Sequence, residues 1–150
     1  MSSYKICIIG LGYVGLPLAL EFSKKFKVIG FDLSSRRVNS LNKNIDENAE
    51  INKNILNKKI LFTDDSSKIK GCNIYIIAVP TPIDSKNNPN IALLKKACKL
   101  VGTLIKKKDI VVFESTVYPG CTRNDCIPIV SKVSKLKPNI DYFYGYSPER

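Results

Sequence analysis

Histidine is absent from all 150 residues, and with it go the His-dependent triads and acid–base schemes this chain might have carried. Metal ligands are equally scarce. The five cysteines, Cys7, Cys72, Cys98, Cys121 and Cys126, are odd in number and form no CxxC pair. No CxxC pair offers half of a zinc set and no histidine is there to complete one, so no metal is expected. They read instead as reduced, mostly buried thiols of a cytoplasmic protein. No stretch approaches the ~20 uninterrupted apolar residues of a spanning helix, so no membrane association is expected. The uncharged run from Ile6 to Leu20 has the length of a secretory signal. It is interrupted by Gly10, Gly12, Gly15 and Pro17 and leads into Glu21 and Phe22 without a small-x-small cleavage site, so we read it as part of the fold.

Acidic residues are few: 13 against 24 Lys and Arg, a net charge of +11. Such an excess can mark a nucleic-acid binder. Here the lysines are scattered among asparagines (NKNIDENAEINKNILNKK), a compositional bias more than a patch. The tyrosines and phenylalanines fall mostly in strand-like runs or beside a glycine loop instead of interleaving with the basic residues. A basic nucleic-acid-binding module stays as the alternative of a different class, and it would show steeply salt-dependent retention on DNA.

What is present is ordinary for a globular domain, with 44% apolar and 25% charged residues, and 150 residues suffice for one domain with a real core. Short β-rich runs alternate with amphipathic stretches, the pattern of βαβ units around a parallel sheet. YKICIIG reads as the first strand and Val14 to Lys25 as the helix behind it. KVIGFD is the second strand, followed by a helix over Ser34 to Lys43 capped by Ser34 or Ser35. Asn42 to Asn57 is polar and asparagine-rich and reads either as helical or as partly disordered. KILF is a brief third strand, Asp65 to Ile69 a short helix and NIYIIAVP a fourth strand covered on both faces. After the turn-rich TPIDSKNNPN, Asn90 caps the helix IALLKKACKLVGTLIKK. DIVVFE is the fifth strand, Pro119 and Gly120 lead into another helix, and DYFYGYSPER is a sixth strand running into a loop. The expected fold is α/β, a Rossmann-type doubly wound parallel sheet of about six strands. No internal repeat or linker is evident, so residues 1–150 read as one domain. The last residues fall within what reads as a site loop, from which a truncated protein is expected.

Gly10-x-Gly12-x-x-Gly15 lies between the first strand and its helix, where a dinucleotide fingerprint must lie. Gly10 permits the tight turn, Gly12 lets a pyrophosphate approach the backbone, and Gly15 lets helix and strand pack closely. The amides and dipole at the helix N-terminus attract the phosphates, and the basic field of the chain favours any such anion. Asp32 ends the second strand about twenty residues beyond Gly10, where its carboxylate can hold the adenosine ribose diol. A carboxylate repels a 2′-phosphate, which favours NAD over NADP. Arg36 and Arg37 weigh the other way, because arginine can bind such a phosphate.

GLGYVGLPLAL, VPTPID, ESTVYPGCT and GYSPER, in this order and spacing, resemble the N-terminal NAD-binding domain of the UDP-glucose/GDP-mannose dehydrogenase family. The resemblance covers essentially the whole chain. Its wording is similar to the branch that acts on UDP-N-acetylhexosamines, including the UDP-N-acetylglucosamine 6-dehydrogenases of the Vi-polysaccharide type. It implies cofactor contacts from the backbone of Tyr13 and Val14, from Asp32, and from Arg37, five positions after that aspartate. It also implies that Thr81, in VPTP at the end of the fourth strand, meets the cofactor. Thr116, in STVYPG at the end of the fifth, would lie beside the nicotinamide and the reacting carbon. Glu149 falls in the family's site loop as a weaker catalytic candidate. Asn90 stands where relatives commonly carry aspartate, a change that leaves helix capping intact.

The reaction so implied is oxidation of a sugar C6 alcohol to a carboxylate with two NAD reduced, serving surface polysaccharide synthesis. It needs a cysteine nucleophile for the aldehyde stage, and none of the five cysteines matches the family's context for that residue. The central helix, the UDP-sugar-binding domain and the dimer contacts are expected outside this chain, so a homo-oligomer is expected only of a longer protein. The chain alone should bind cofactor without turnover. Another NAD(P)-dependent Rossmann dehydrogenase is the alternative within the same fold.

Overall fold

The computed structural model describes residues 4–46, 60–85 and 88–147. Six strands, β1 (Lys5–Ile9), β2 (Lys27–Phe31), β3 (Leu61–Thr63), β4 (Ile74–Ile77), β5 (Ile110–Phe113) and β6 (Phe143–Tyr146), form one sheet in the order β3-β2-β1-β4-β5-β6. Every neighbouring pair is parallel. The helices are α1 (Gly15–Ser23), α2 (Ser35–Asn42), α3 (Ala92–Leu104) and α4 (Ile127–Ser134), with a short 3-10 turn over Ser66–Ile69. This is the expected doubly wound α/β sheet. The run that could have been a signal segment supplies the central strand β1 and the helix that follows it.

The period of two along β1 divides its side chains between two cores. Ile6 and Ile8 pack with Leu16, Ala19 and Leu20 of α1 on one face. Cys7 and Ile9 pack on the other with Leu94, Cys98 and Val101 of α3 and Val130 of α4. Burial on both faces is why β1 after Lys5, and β4, carry no charged residue. Polar residues inside are tied off: the hydroxyl of the fully buried Tyr142 is 2.9 Å from Ser131 Oγ.

Several boundaries differ from the sequence reading. Both ends of α1 are trimmed, to Gly15 and Ser23. The cap of α2 is Ser34, whose Oγ accepts the Arg37 N–H at 3.2 Å. Helix α3 opens at Ala92 with Ile91 at the N-cap. Asn90 therefore caps from one residue further out, its Oδ1 accepting the Ala92 N–H at 3.0 Å. The same helix stops at Leu104 instead of Lys107, because Ile105 turns extended and buries its side chain. The carboxylate of the buried Asp109 then accepts the Lys106 N–H at 2.8 Å. The helix after Gly120 begins as a π turn over Thr122–Cys126 before regularising into α4. Most of the polar Asn42–Asn57 stretch lies outside the described residues.

Candidate functional site

The strand order reverses between β1 and β4, since the chain winds outward to β3 on one side and to β6 on the other. Ligands of such sheets bind at the carboxyl ends of the strands beside that reversal. Two adjoining clefts open there, of about 550 Å3 and about 570 Å3, sharing Gly12, Val79 and Pro80 as their common wall.

Each glycine of the loop is required for a separate reason. Gly10 has φ +95°, and a Cβ there would come within 2.7 Å of the Ala78 carbonyl oxygen. A Cβ on Gly15 would sit 1.8 Å from the Gly10 carbonyl oxygen, so helix and loop pack backbone to backbone. A Cβ on Gly12 would meet nothing within 4 Å. That open space is a cradle facing both clefts, since Gly12 lines each of them. Tyr13 and Val14 border the second cleft, just ahead of α1, whose Leu16 and Leu18 amides bond back to the Gly12 and Val14 carbonyls at 3.0 and 3.3 Å.

The first cleft runs past the end of β2. Asp32 Oδ2 accepts the Leu11 N–H at 2.8 Å and Oδ1 accepts the Ser34 N–H at 2.9 Å. The carboxylate thus fixes the glycine loop and the entry to α2, and each oxygen keeps a further lone pair for a ribose hydroxyl. Asp64, at the end of β3, lines the same cleft and accepts the Ser35 hydroxyl at 2.5 Å. Leu33, Val79, Leu93 and Leu100 line the same cleft, apolar surface that suits the faces of an adenine ring.

Arg37 is neither a solvated helix-face charge nor a side chain extended toward a phosphate. It is 9% exposed. Its Nε donates to the Leu11 carbonyl at 2.9 Å and its Nη1 pairs with Asp46 at 2.7 Å, where the aspartate side chain is 2% exposed. Leu11 is consequently held at its amide by Asp32 and at its carbonyl by Arg37.

The second cleft is bounded by the ends of β4 and β5. Thr81 Oγ1 donates to the Thr116 carbonyl, which commits the hydroxyl proton to bridging the two strand ends and leaves acceptor lone pairs for a ligand. Buried Ser115 reinforces the bridge, its Oγ donating to the Val79 carbonyl at 2.7 Å. Thr116 is exposed on the cleft, and Glu114 lines it too. The structure thus gathers Gly10, Gly12, Tyr13, Val14, Asp32, Arg37, Thr81 and Thr116 along the two clefts, with Gly15 packed beneath the loop against the Gly10 carbonyl. Glu149 lies outside the described residues.

Glu114, Ser115, Asp64 and the leucine wall were not singled out from sequence. The first three follow strands, so the rule that ligands meet strand C-termini could have flagged them. Leu93 and Leu100 lie seven apart on an amphipathic helix and read as core from sequence.

All five cysteines are buried and unpaired. Burial pushes the Cys121 thiol up to about 11. Cys126 is raised by its contact with Cys98 and by burial, and Cys7 by its contact with Cys72. Thiols protonated in this way are poor nucleophiles at neutral pH. Among the described residues no cluster could hold a metal ion, and no helix is long and apolar enough to cross a membrane.

A parallel sheet in this order, a glycine turn with an open cradle and an acid ending the second strand define a dinucleotide-binding Rossmann domain. More narrowly, the chain belongs to the UDP-glucose/GDP-mannose dehydrogenase family, whose NAD binding domain matches residues 4–150. It is 50% identical to a UDP-N-acetyl-D-glucosamine 6-dehydrogenase of Salmonella typhi and 46% identical to one of Pseudomonas aeruginosa, in each case across 100% of this chain and 36% of the relative. The solved UDP-D-ManNAc dehydrogenase of Pyrococcus horikoshii superposes with a TM-score of 0.89 at 28% identity, over 97% of this chain and 36% of that one. The chain therefore spans about 36% of the length of these two relatives.

Proposed function

We propose that this chain is the cofactor-binding part of an NAD-dependent UDP-sugar 6-dehydrogenase, with a UDP-N-acetylhexosamine as substrate. The observation that carries the reading is the continuous crevice from Asp32, past the open cradle at Gly12, to Thr81 and Thr116. Its first half offers two carboxylates and apolar surface, and its second the hydroxyls and backbone at the ends of β4 and β5, lining that supports the reading of a dinucleotide lying across both. The high identity to two UDP-N-acetyl-D-glucosamine 6-dehydrogenases supports the choice of sugar.

The roles follow from position. Asp32 accepts the adenosine ribose hydroxyls, and Leu33, Leu93 and Leu100 enclose the adenine. The amides at Tyr13 and Val14 receive the pyrophosphate. NAD, when bound, supplies the hydride acceptor. Thr116 presents its side chain on the nicotinamide side of the crevice, where it can hold water or substrate hydroxyl beside the reacting carbon. Glu149 is the remaining catalytic candidate. The uronate product would serve surface polysaccharide synthesis in the cytoplasm, and the sugar-binding half and any homo-oligomer contacts would belong to a longer protein.

Titration with NAD should give saturable binding to this chain, while absorbance assays with UDP-N-acetylglucosamine and NAD should show no NADH above background, because all five of its cysteines are buried and none lines the crevice. Absence of NAD binding would overturn the site. Turnover by the chain alone would overturn its assignment as a cofactor-binding part.

A further inference from the structure

Asp46 lies next to the dinucleotide crevice, and its pairing with Arg37 has a consequence for cofactor choice. An arginine within reach of the ribose end of a Rossmann cleft is the usual means of accepting a 2′-phosphate. Arg37 borders that cleft. Two contacts hold its guanidinium back, the Leu11 carbonyl at 2.9 Å and the Asp46 carboxylate at 2.7 Å. Both partners of the ion pair are largely removed from water, with side chains 11% and 2% exposed. A charge so paired has little field left for a ligand, and breaking the pair would strand a buried carboxylate. The remaining carboxylates on that side of the cleft, Asp32 and Asp64, repel a phosphate. Lys96 of α3 also lines this cleft, a cation that the Arg37 and Asp46 variants leave unchanged.

We propose that Arg37 and Asp46 form a cofactor-selectivity element. Asp46 pins the guanidinium to the glycine loop, where it positions Leu11 and the turn that receives pyrophosphate. The same contact neutralises the one cation of α2 buried at this cleft and so excludes NADP. Arg37 is by this account a positioning residue whose charge is withheld from the ligand. The inference rests on the assignment of the crevice to NAD and concerns only how the 2′-phosphorylated form is rejected.

The test is calorimetric titration of the chain with NAD and with NADP. Wild-type protein should prefer NAD. Asp46→Asn should lower the ratio of the NADP to the NAD dissociation constant by about tenfold, roughly the worth of one charge-assisted hydrogen bond. Adding Arg37→Gln to Asp46→Asn should restore the wild-type ratio, which separates Arg37 from its neighbour Arg36. Arg37→Gln alone should weaken both dinucleotides by a similar factor, and this reading stands even if the Asp46 variant does not fold. A ratio unchanged in folded Asp46→Asn, or a selective loss of NADP in Arg37→Gln, would overturn the proposal. Failure of the wild-type chain to bind either dinucleotide would instead strike the site itself.

Discussion

Gly12 and Gly15 are three residues apart in one motif, yet their surroundings demand opposite outcomes on substitution. The Cβ of Gly15→Ala would overlap the Gly10 carbonyl at 1.8 Å, so the variant should lose about 1–3 kcal/mol or more of stability. Gly12→Ala meets no protein atom within 4 Å. It should keep the wild-type melting temperature and lose NAD binding, because the methyl occupies the pyrophosphate cradle. Thermal unfolding with parallel calorimetry separates the two. Asp32→Ala removes the proposed ribose acceptor, which is also the carboxylate that holds the Leu11 and Ser34 amides. It should weaken NAD binding by about 1.5–3 kcal/mol, in the range for hydrogen bonds to a charged group, and unchanged affinity would remove Asp32 from the site.

Among the elements, the join of α3, β5 and β6 is held by two aspartates of opposite behaviour. Asp141 accepts the Lys137 N–H at 2.9 Å and faces Lys107 at 3.3 Å, while the Lys108 amide donates to its backbone carbonyl at 2.6 Å. The Lys137 amide and then Lys107 hold its carboxyl below the ordinary value of 3.8. Folding therefore favours the ionised form, and this contribution is present above that ordinary value and lost as pH falls through the lowered one. Burial raises the Asp109 carboxyl instead, so its contribution is present below 3.8 and fades as pH climbs through the raised value. Asp141→Asn should accordingly flatten the loss of stability in acid, below about pH 4, as read from denaturant midpoints across pH. An acid limb as steep as in the wild type would exclude Asp141 as a contributor.

At the scale of the whole molecule, two cores share one sheet. Leu16 of α1 belongs to the first and Leu94 of α3 to the second, and each is 1% exposed. Because β1 and β4 contribute side chains to both, neither core can dissolve without unpairing strands that the other needs. Leu16→Ala and Leu94→Ala should each cost about 2–5 kcal/mol. Each should shift one cooperative transition, with far-ultraviolet dichroism and tyrosine fluorescence coincident. Two separated transitions in either variant would show that the cores unfold independently.

The sequence by itself determined the doubly wound fold, the glycine turn and the acid that ends β2, because these depend on residues near one another in the chain. Strand period, a turn needing φ +95° at Gly10 and the spacing to Asp32 are local signals, and they survive without knowledge of the partners. The buried cysteines were legible for the same reason, as small apolar side chains within strands and amphipathic helices. Tertiary structure alone decided where α3 stops, since that depends on Ile105 finding the core and Asp109 finding the Lys106 amide. It also decided the role of Arg37, which reads as a free cation until Asp46 and the Leu11 carbonyl, separated from it by nine and 26 residues, are folded against it. Leu93 and Leu100 became a cleft wall by the same route. A helix stripe records that a face is apolar, and only packing decides whether protein or ligand covers it.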